Sequence, residues 1–384
     1  MLGLGLGLGS IGQSLQQRAM GILRSFGSNA HSYPFSTLQG AYQTSAGPAA
    51  AAVNDPVGLE LDALGTLGPN LVTNGDFSAG ATGWTGDANI TTAINGGVFN
   101  LGAVTTGNTL TQPCLIVGKM YKLVFSVTRF SVLGNFRVRI GGGVWGDLIL
   151  AISTVGTYTI YGQATVDTEL AFVRYATSDF DIDNVSVQEV TGNHATQTTA
   201  INRPTVQQDG GGRWYASFNG TNQSMQLAST LTAVAGTFIC CARADVLHFG
   251  TLFGGGGNYV SEPGISLITA NNGSLRAVFG NGTITNQSVS AVDTYTPGEI
   301  FVVSVQWDMS FIKIRKNSGT TRQVANLLGD LTSATLGSIG RIGPLGGTYF
   351  SGSIYDLDAI KGTVTDAQLL TLEKAAGQRA GLVI

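Results

Sequence analysis

Five aromatic side chains stand where a ring could do chemistry at a surface. Trp145 lies in the Gly-rich turn 141–146, and Tyr158 and Tyr161 follow on the next strand-like run. Tyr259 comes shortly after the glycines at 254–257, and Tyr349 just after Gly346 and Gly347. A ring held on a loop can stack on the apolar C–H face of a sugar while Asn, Asp and Arg bond its hydroxyls; the competing role is rim packing or subunit contact. Catalytic chemistry is thinner. Asp356 and Asp358 are two apart on a strand-like run and share a face, the nearest approach to a bond-cleaving carboxylate pair. His31, His194 and His248 are scattered, and no HExxH, Cys/His metal spacing, Gly-x-Ser-x-Gly elbow or phosphate loop occurs. These residue types point to binding without turnover, so no enzyme is expected.

The elements that must position such residues are strands. The chain has 384 residues, enough for two domains with cores of their own, yet only 11% are charged while 55 are Gly. Uncharged polar surface, Gly-rich turns and β-branched runs describe an all-β protein. A net charge of −3 without a Lys/Arg cluster leaves no footprint for nucleic acid. Cys114, Cys240 and Cys241 are too few and odd in number for a disulfide framework; Cys240 and Cys241 are adjacent on a strand and point to opposite faces. They read as small hydrophobes in a protein made in a reducing cytoplasm. No apolar run reaches the ~18 residues of a membrane span.

Residues 1–35 form an N-terminal segment. Leu2, Leu4, Leu6 and Leu8 alternate with glycines, so an extended strand would put all four on one face. Leu15, Ala19, Ile22, Leu23 and Phe26 then recur at helical spacing and predict a helix over about 13–26. Leu2, Leu4, Leu6, Leu8, Leu15, Ile22 and Phe26 are the candidate docking or oligomerisation side chains. A short strand follows in Asp55–Asp62, where Val57, Leu59 and Leu61 alternate with polar or small residues.

The stretch 67–190 behaves as a separate unit. Strand-like runs at 121–127, 136–140, 157–161 and 170–175 alternate with Gly-rich turns, the pattern of a β-sandwich or jelly roll. From 191 onward, strand-like runs include 237–243, 264–268, 275–279, 300–307, 311–316 and 352–360. The period then switches: Thr365-Asp366-Ala367-Gln368 is a capping box, Leu369, Leu372 and Ala376 make one stripe, and Gly377 is the expected stop.

Two resemblances sharpen this. The opening PNLVTNGDFSAGATGWT and the closing FDIDNVSV of the 67–190 unit resemble the first and last strands of jelly-roll carbohydrate-binding modules. The segments DPVGLELD at 55–62, GNHATQ…RP…QDGGGRW…FNG at 192–220 and GSIYDLDAIKGTVTDAQLLTLEKAAGQRAGL at the end resemble the concanavalin A-like (laminin-G-like) domains of tailed-phage fibre and appendage proteins. In that family DPVGL.LD runs directly into GNHATQ; here 67–190 separates them. The expected architecture is therefore all-β, with two β-sandwich (jelly-roll) domains, one of them discontinuous (36–66 with 191–384), an N-terminal anchoring segment and a short C-terminal helix. The resemblance makes Asp356 and Asp358 ordinary framework and assigns Trp84, Trp214 and Trp307 to cores. It also implies a structural Ca²⁺ between the module's first and last strands, with Asp76 and Asp183 as oxygen ligands; Ser78 stands where the family commonly has an acidic residue. No other cofactor is expected.

The resemblance implies a non-enzymatic structural protein of a tailed-bacteriophage virion, a fibre or appendage that adheres to host-surface polysaccharide. Other virion proteins would hold it through its N-terminal segment, and a homo-oligomer, a trimer by resemblance, would multiply weak sugar sites. The alternative is a head-decoration or head-fibre protein with an architectural role.

Overall fold

A computed structural model describes the chain except for residues 1–6, 39, 44–51, 87–91, 95–98, 102–108, 131–134, 143–148, 176–179, 256–262, 282–285, 330, 332–334 and 343–347. Strands dominate, and two compact units emerge: a host drawing on Met1–Thr44, Ala49–Leu64 and Gly192–Ile384, and a guest centred on Gly65–Thr191. The elements used below are, in chain order, α1 (Gly7–Ser25), β1 (Ala30–Tyr33), β2 (Leu59–Glu60), β3 (Leu67–Asn70), β4 (Met120–Phe130), β5 (Gly156–Gln163), β6 (Phe180–Val190), β7 (Ala195–Thr196), β8 (Gly236–Ala244), β9 (Ile300–Trp307), β10 (Ser351–Ile360) and α2 (Asp366–Arg379). No helix among the described residues is long and apolar enough to cross a membrane.

The host is a sandwich of an 8-stranded and a 9-stranded sheet. Alternation along β8 and β9 sends Phe238, Cys240, Phe301, Val303 and Val305 into the space between the sheets, where Trp307 packs 4.7 Å from Phe238 between ring centroids. The opposite faces of the same strands are also dry. Ile239, Cys241 and Val302 lie under the two helices with Leu23, Leu369, Leu372 and Ala376. Cys240 and Cys241 thus point into different cores, and burial pushes both thiols up, as expected of inert hydrophobes.

Helix α2 starts on the predicted capping box: Thr365 accepts from the Gln368 N–H and Gln368 caps in return. Its end differs from the expectation. Gly377 is a buried helical residue, and the stop is Gly381, at φ +73°. Leu382 N–H donates to Gly377 O and Gly381 N–H to Gln378 O, a Schellman closure that needs a left-handed residue four places later than anticipated. One charged side chain, Glu373, sits on the buried stripe. It accepts from Arg315 (2.8 Å twice), Ser304 (2.5 Å) and Ser318 (2.7 Å), which fastens α2 to the sheet.

The N-terminal segment corrects the sequence expectation. The helix begins at Gly7, so Gly7 and Leu8 are helical backbone, not extended; Leu2, Leu4 and Leu6 lie outside the described residues. Glycine in a helix costs about 1 kcal/mol relative to alanine. Leu15, Ile22 and Phe26, expected to serve a partner, each find apolar neighbours in the host's own core. Gln16 completes the contact, donating to Ala375 O (2.8 Å) and accepting from Arg379 Nε (2.9 Å).

The discontinuous sandwich closes around the join. β2 pairs with β7 in the register Glu60↔Ala195 and Leu59↔Thr196, so DPVGLELD and GNHATQ are hydrogen-bonded neighbours. Val57 shares the core with Phe218. Asp62 stands at the exit to the guest, almost fully buried, and one carboxylate serves four donors. Oδ1 accepts from the N–H groups of Ser32 (3.0 Å) and Leu64 (3.1 Å); Oδ2 accepts from Asn193 N–H (3.1 Å) and lies 2.6 Å from His31 Nδ1. Its own N–H donates to His194 Nδ1 (3.1 Å), and Tyr33 donates its hydroxyl to Asn193 O. Gly192 must be glycine here: it has φ +131°, and a Cβ would meet Asp62 Cβ at 3.0 Å.

The guest is a second sandwich of a 5-stranded and a 6-stranded sheet. Its core is aromatic, with Phe136 stacked on Phe180 at 3.8 Å and Phe172 edge-on to Phe125 at 5.1 Å. First and last strands are neighbours, β3 pairing with β6 at Asn70↔Gln188, and Thr66 and Thr191 close the base through paired backbone and hydroxyl bonds. The NGDF turn is locked by Asn74, which accepts from Ala79 N–H and donates to Gly80 O. Gly75 has no room for a side chain, since a Cβ would fall 1.9 Å from Val185 O.

Asp62→Ala removes the acceptor for four donors from a dry site, a loss of about 3–5 kcal/mol. Calorimetry of the full chain should show the host transition shifted down by that amount while the guest transition keeps its midpoint.

Candidate functional site

Of the five aromatic candidates, Trp145 and Tyr259 lie outside the described residues. Tyr349 is a half-buried host residue bridged to Thr251, with its carbonyl 3.1 Å from His248 Nε2. Tyr158 and Tyr161 both lie on β5, but three residues apart on a strand means opposite faces. Tyr158 turns inward: its ring stacks on Phe125 at 5.4 Å and its hydroxyl bonds Thr154, a rim-packing role. The two tyrosines therefore cannot both line one site.

Tyr161 turns outward, onto the 6-stranded sheet's far side. Ile160, Leu123 and Val187 form the cross-strand row facing the core, so the adjacent row, Tyr161↔Lys122↔Gln188, faces away from it. Three strands side by side put these groups across roughly 10 Å, at ~4.8 Å per strand. The next rows along the same face are Thr159↔Val124↔Ser186 and Thr157↔Ser126↔Asp183, rich in hydroxyls. All members of the first row are half-buried. Gln188 is oriented by its amide, which donates to Gly68 O at 2.8 Å. Lys122 has no hydrogen-bond or ion-pair partner among the described residues. The nearby carboxylates are engaged elsewhere: Glu189 with Lys119 (3.0 Å), Asp181 bidentately with Arg129 (2.8 Å). The face thus presents a ring, a cation, an amide and hydroxyls, the donor set for a sugar. Lys122 and Gln188 escaped the sequence analysis. The signal was there, since alternation in 121–127 already sends Lys122 to the side opposite Leu123 and Phe125.

Calcium finds little support in the acidic side chains. The bond from Val185 N–H to Gly75 O (2.8 Å) does bring the turn before Asp76 beside the strand after Asp183. Asp76, however, accepts from Ser78 N–H and Oγ, which holds its carboxyl below the usual range, and Asp183 is taken by Asn184. No trio of His, Cys, Asp or Glu that could hold a metal gathers among the described residues.

The host's acidic groups are buried framework. Asp356 pairs with Arg379, and Asp358 lies beneath β1 with Ser32 opposite it in register. Burial first, and then the Asp356 charge, push the Asp358 carboxyl up to about 7. Glu60 is a correction to the reading of β2: Glu60 stands opposite Ala41 and Ala195, both core residues, and is fully buried. Neither of its oxygens has a hydrogen-bond partner among the described residues, and burial holds its carboxyl well above the ordinary range. A shallow depression beside α2, lined by Gln306, Lys313, Arg315 and Asp366, uses side chains already committed to the fold: Arg315 to Glu373, Gln306 to Val364 O.

No family model matches this chain, and no curated protein matches it in sequence. Among solved structures, the CBM40 of Ruminococcus gnavus IT-sialidase bound to α2,3-sialyllactose aligns at 12% identity and TM-score 0.34, over 41% of this chain and 96% of that one. A heptameric SAP-like pentraxin from Limulus polyphemus aligns at 18% and 0.34, over 41% and 80%. Domain 4 of the Geobacillus stearothermophilus arabinanase AbnA, in complex with arabinotriose, aligns at 18% and 0.37, over 44% and 81%. Each is a partial likeness.

Because the Asp358 carboxyl is raised from its unfolded value of roughly 4, its share of host stability is present below that pH and is lost as pH rises through about 7. Glu60 acts in the same direction. Asp358→Asn should flatten the fall of the host's urea midpoint between pH 4 and 7.

Proposed function

We propose that this chain is a non-enzymatic adhesion protein whose guest sandwich binds glycan on the Tyr161–Lys122–Gln188 face. The observation that carries the reading is the register itself: an aromatic ring, a cation and an amide on three adjacent strands, all on the side away from the core. A flat row of that kind suits an extended polysaccharide better than a small molecule needing a deep pocket. The buried state of Asp356 and Asp358 speaks against their use as a glycan-cleaving pair.

Within this reading the protein belongs to the particle of a tailed bacteriophage, made in the bacterial cytoplasm and displayed in several copies as a trimeric fibre or appendage. The sequence likeness to phage fibre domains, the low charge and the Gly-rich N-terminus support that placement. The leucines before Gly7 and the outward side of α1, with Arg18 and Arg24, would meet the virion. Multivalent display would turn weak single sites into firm attachment.

Full-length protein on a glycan array should retain a defined set of ligands, and Tyr161→Ala should weaken them about tenfold while circular dichroism stays unchanged. Equal binding by Tyr161→Ala would remove the face from the mechanism. Antibody labelling of purified particles tests the virion assignment.

A further inference from the structure

We infer that the sugar bound on this face is acidic, a hexuronate whose ring carboxylate pairs with Lys122; this rests on the reading of the Tyr161 row as the glycan site. Lys122 lies on β4, between β5 and β6 in its sheet, and is flanked in register by Tyr161 and Gln188. Lys122 is half-buried and has no acidic partner among the described residues, so its ammonium is available to an anion. Within the guest, Lys119, Arg129 and Arg139 have carboxylates within ion-pair reach, whereas Lys122 has none among the described residues.

Spacing selects the kind of anion. Tyr161 and Lys122 are directly opposed cross-strand residues, with Cβ atoms roughly 5 Å apart. A pyranose stacked on the tyrosine ring would therefore have to carry its charge on the ring itself, as the C6 carboxylate of a uronic acid does. A phosphodiester sits on the linker between sugars, farther from the stacked ring. Asp183, two rows along the same face, lies roughly 13 Å from Lys122 along the strands and would disfavour a second negative charge at that end. The face would thus take one acidic residue at the Tyr161 end and neutral hydroxyls beyond it, an alternating polymer of acidic and neutral sugars.

The test uses the full chain and a panel of polysaccharides: polygalacturonate, alginate, hyaluronan, their methyl-esterified forms, neutral galactan and glucan, and a phosphodiester-linked teichoic acid. The expected result is that at least one uronate polymer binds, that its methyl ester binds about tenfold less, and that salt weakens binding. Lys122→Gln should reproduce the loss on the acid polymer and abolish most of the difference between acid and ester, and Lys122→Arg should restore it. Tyr161→Ala should weaken both polymers. Tyr161-dependent binding of neutral glycans alone, indifferent to Lys122→Gln, overturns the acidic-sugar inference and leaves the face intact. Binding of the teichoic acid with no uronate binding overturns it in favour of phosphate. No binding by any polymer, or binding indifferent to Tyr161→Ala, overturns the face together with the inference.

Discussion

One buried carboxylate holds the host together where its chain is broken. Asp62 is the last buried residue before the chain leaves for the guest, and Asn193 is among the first after it returns. Binding both, together with the strand that carries His31 and Ser32, makes three remote segments depend on a single acceptor. A salt bridge in the open would contribute little, but donors buried around a carboxylate cannot turn to water if it is lost. The glycine, asparagine and histidine of GNHATQ then have separate reasons to be there. Gly192 makes room, Asn193 supplies an N–H and a carbonyl, and His194 accepts from Asp62 N–H.

Both faces of the host's 8-stranded sheet are covered, and the chemistry differs between them. The inner face is apolar. The outer face, beneath the helices, carries Asp356, Asp358, Ser304 and Gln306: Asp356 pairs with Arg379, Ser304 with Glu373 and Gln306 with Val364 O, while Asp358 lies opposite Ser32 of β1. Asp356 and Glu373 are thus committed to holding α2, and Asp62 to holding the strand β1. The 6-stranded sheet of the guest has no helix over its outer side among the described elements, and that is where an unanswered cation and an aromatic ring stand together.

Much of this was legible in the sequence. Alternation located the strands at 121–127 and 157–161, each with one apolar face, and continuous apolar runs located those at 237–243 and 300–307, which are buried on both faces. The capping box placed the start of α2 for the same kind of reason: two side chains and two N–H groups leave few alternatives. What stayed hidden depended on residues far apart. Glu60 faces the core and Glu373 lies on the buried stripe of α2, positions a charge should avoid, and only Arg315, Ser304 and Ser318 explain the second. Gly377 looked like a helix end because a glycine after an apolar stripe usually is one; in the fold it faces the Leu382 carbonyl, which an added Cβ would meet at 3.1 Å. The leucine–glycine run read as extended because its own period is two, while in the fold its last residues, Gly7 and Leu8, are the first of the helix that continues through Leu15 and Ile22. At the site, Tyr161 was visible as an aromatic, but its partners sit on β4 and β6, and cross-strand register is not written in any one segment.

Thr66 and Thr191 bond each other at the base of the guest, so its two ends leave side by side. A folded insert whose ends lie this close adds little closure entropy to the chain that carries it, so one such unit could be exchanged for another without re-threading the host.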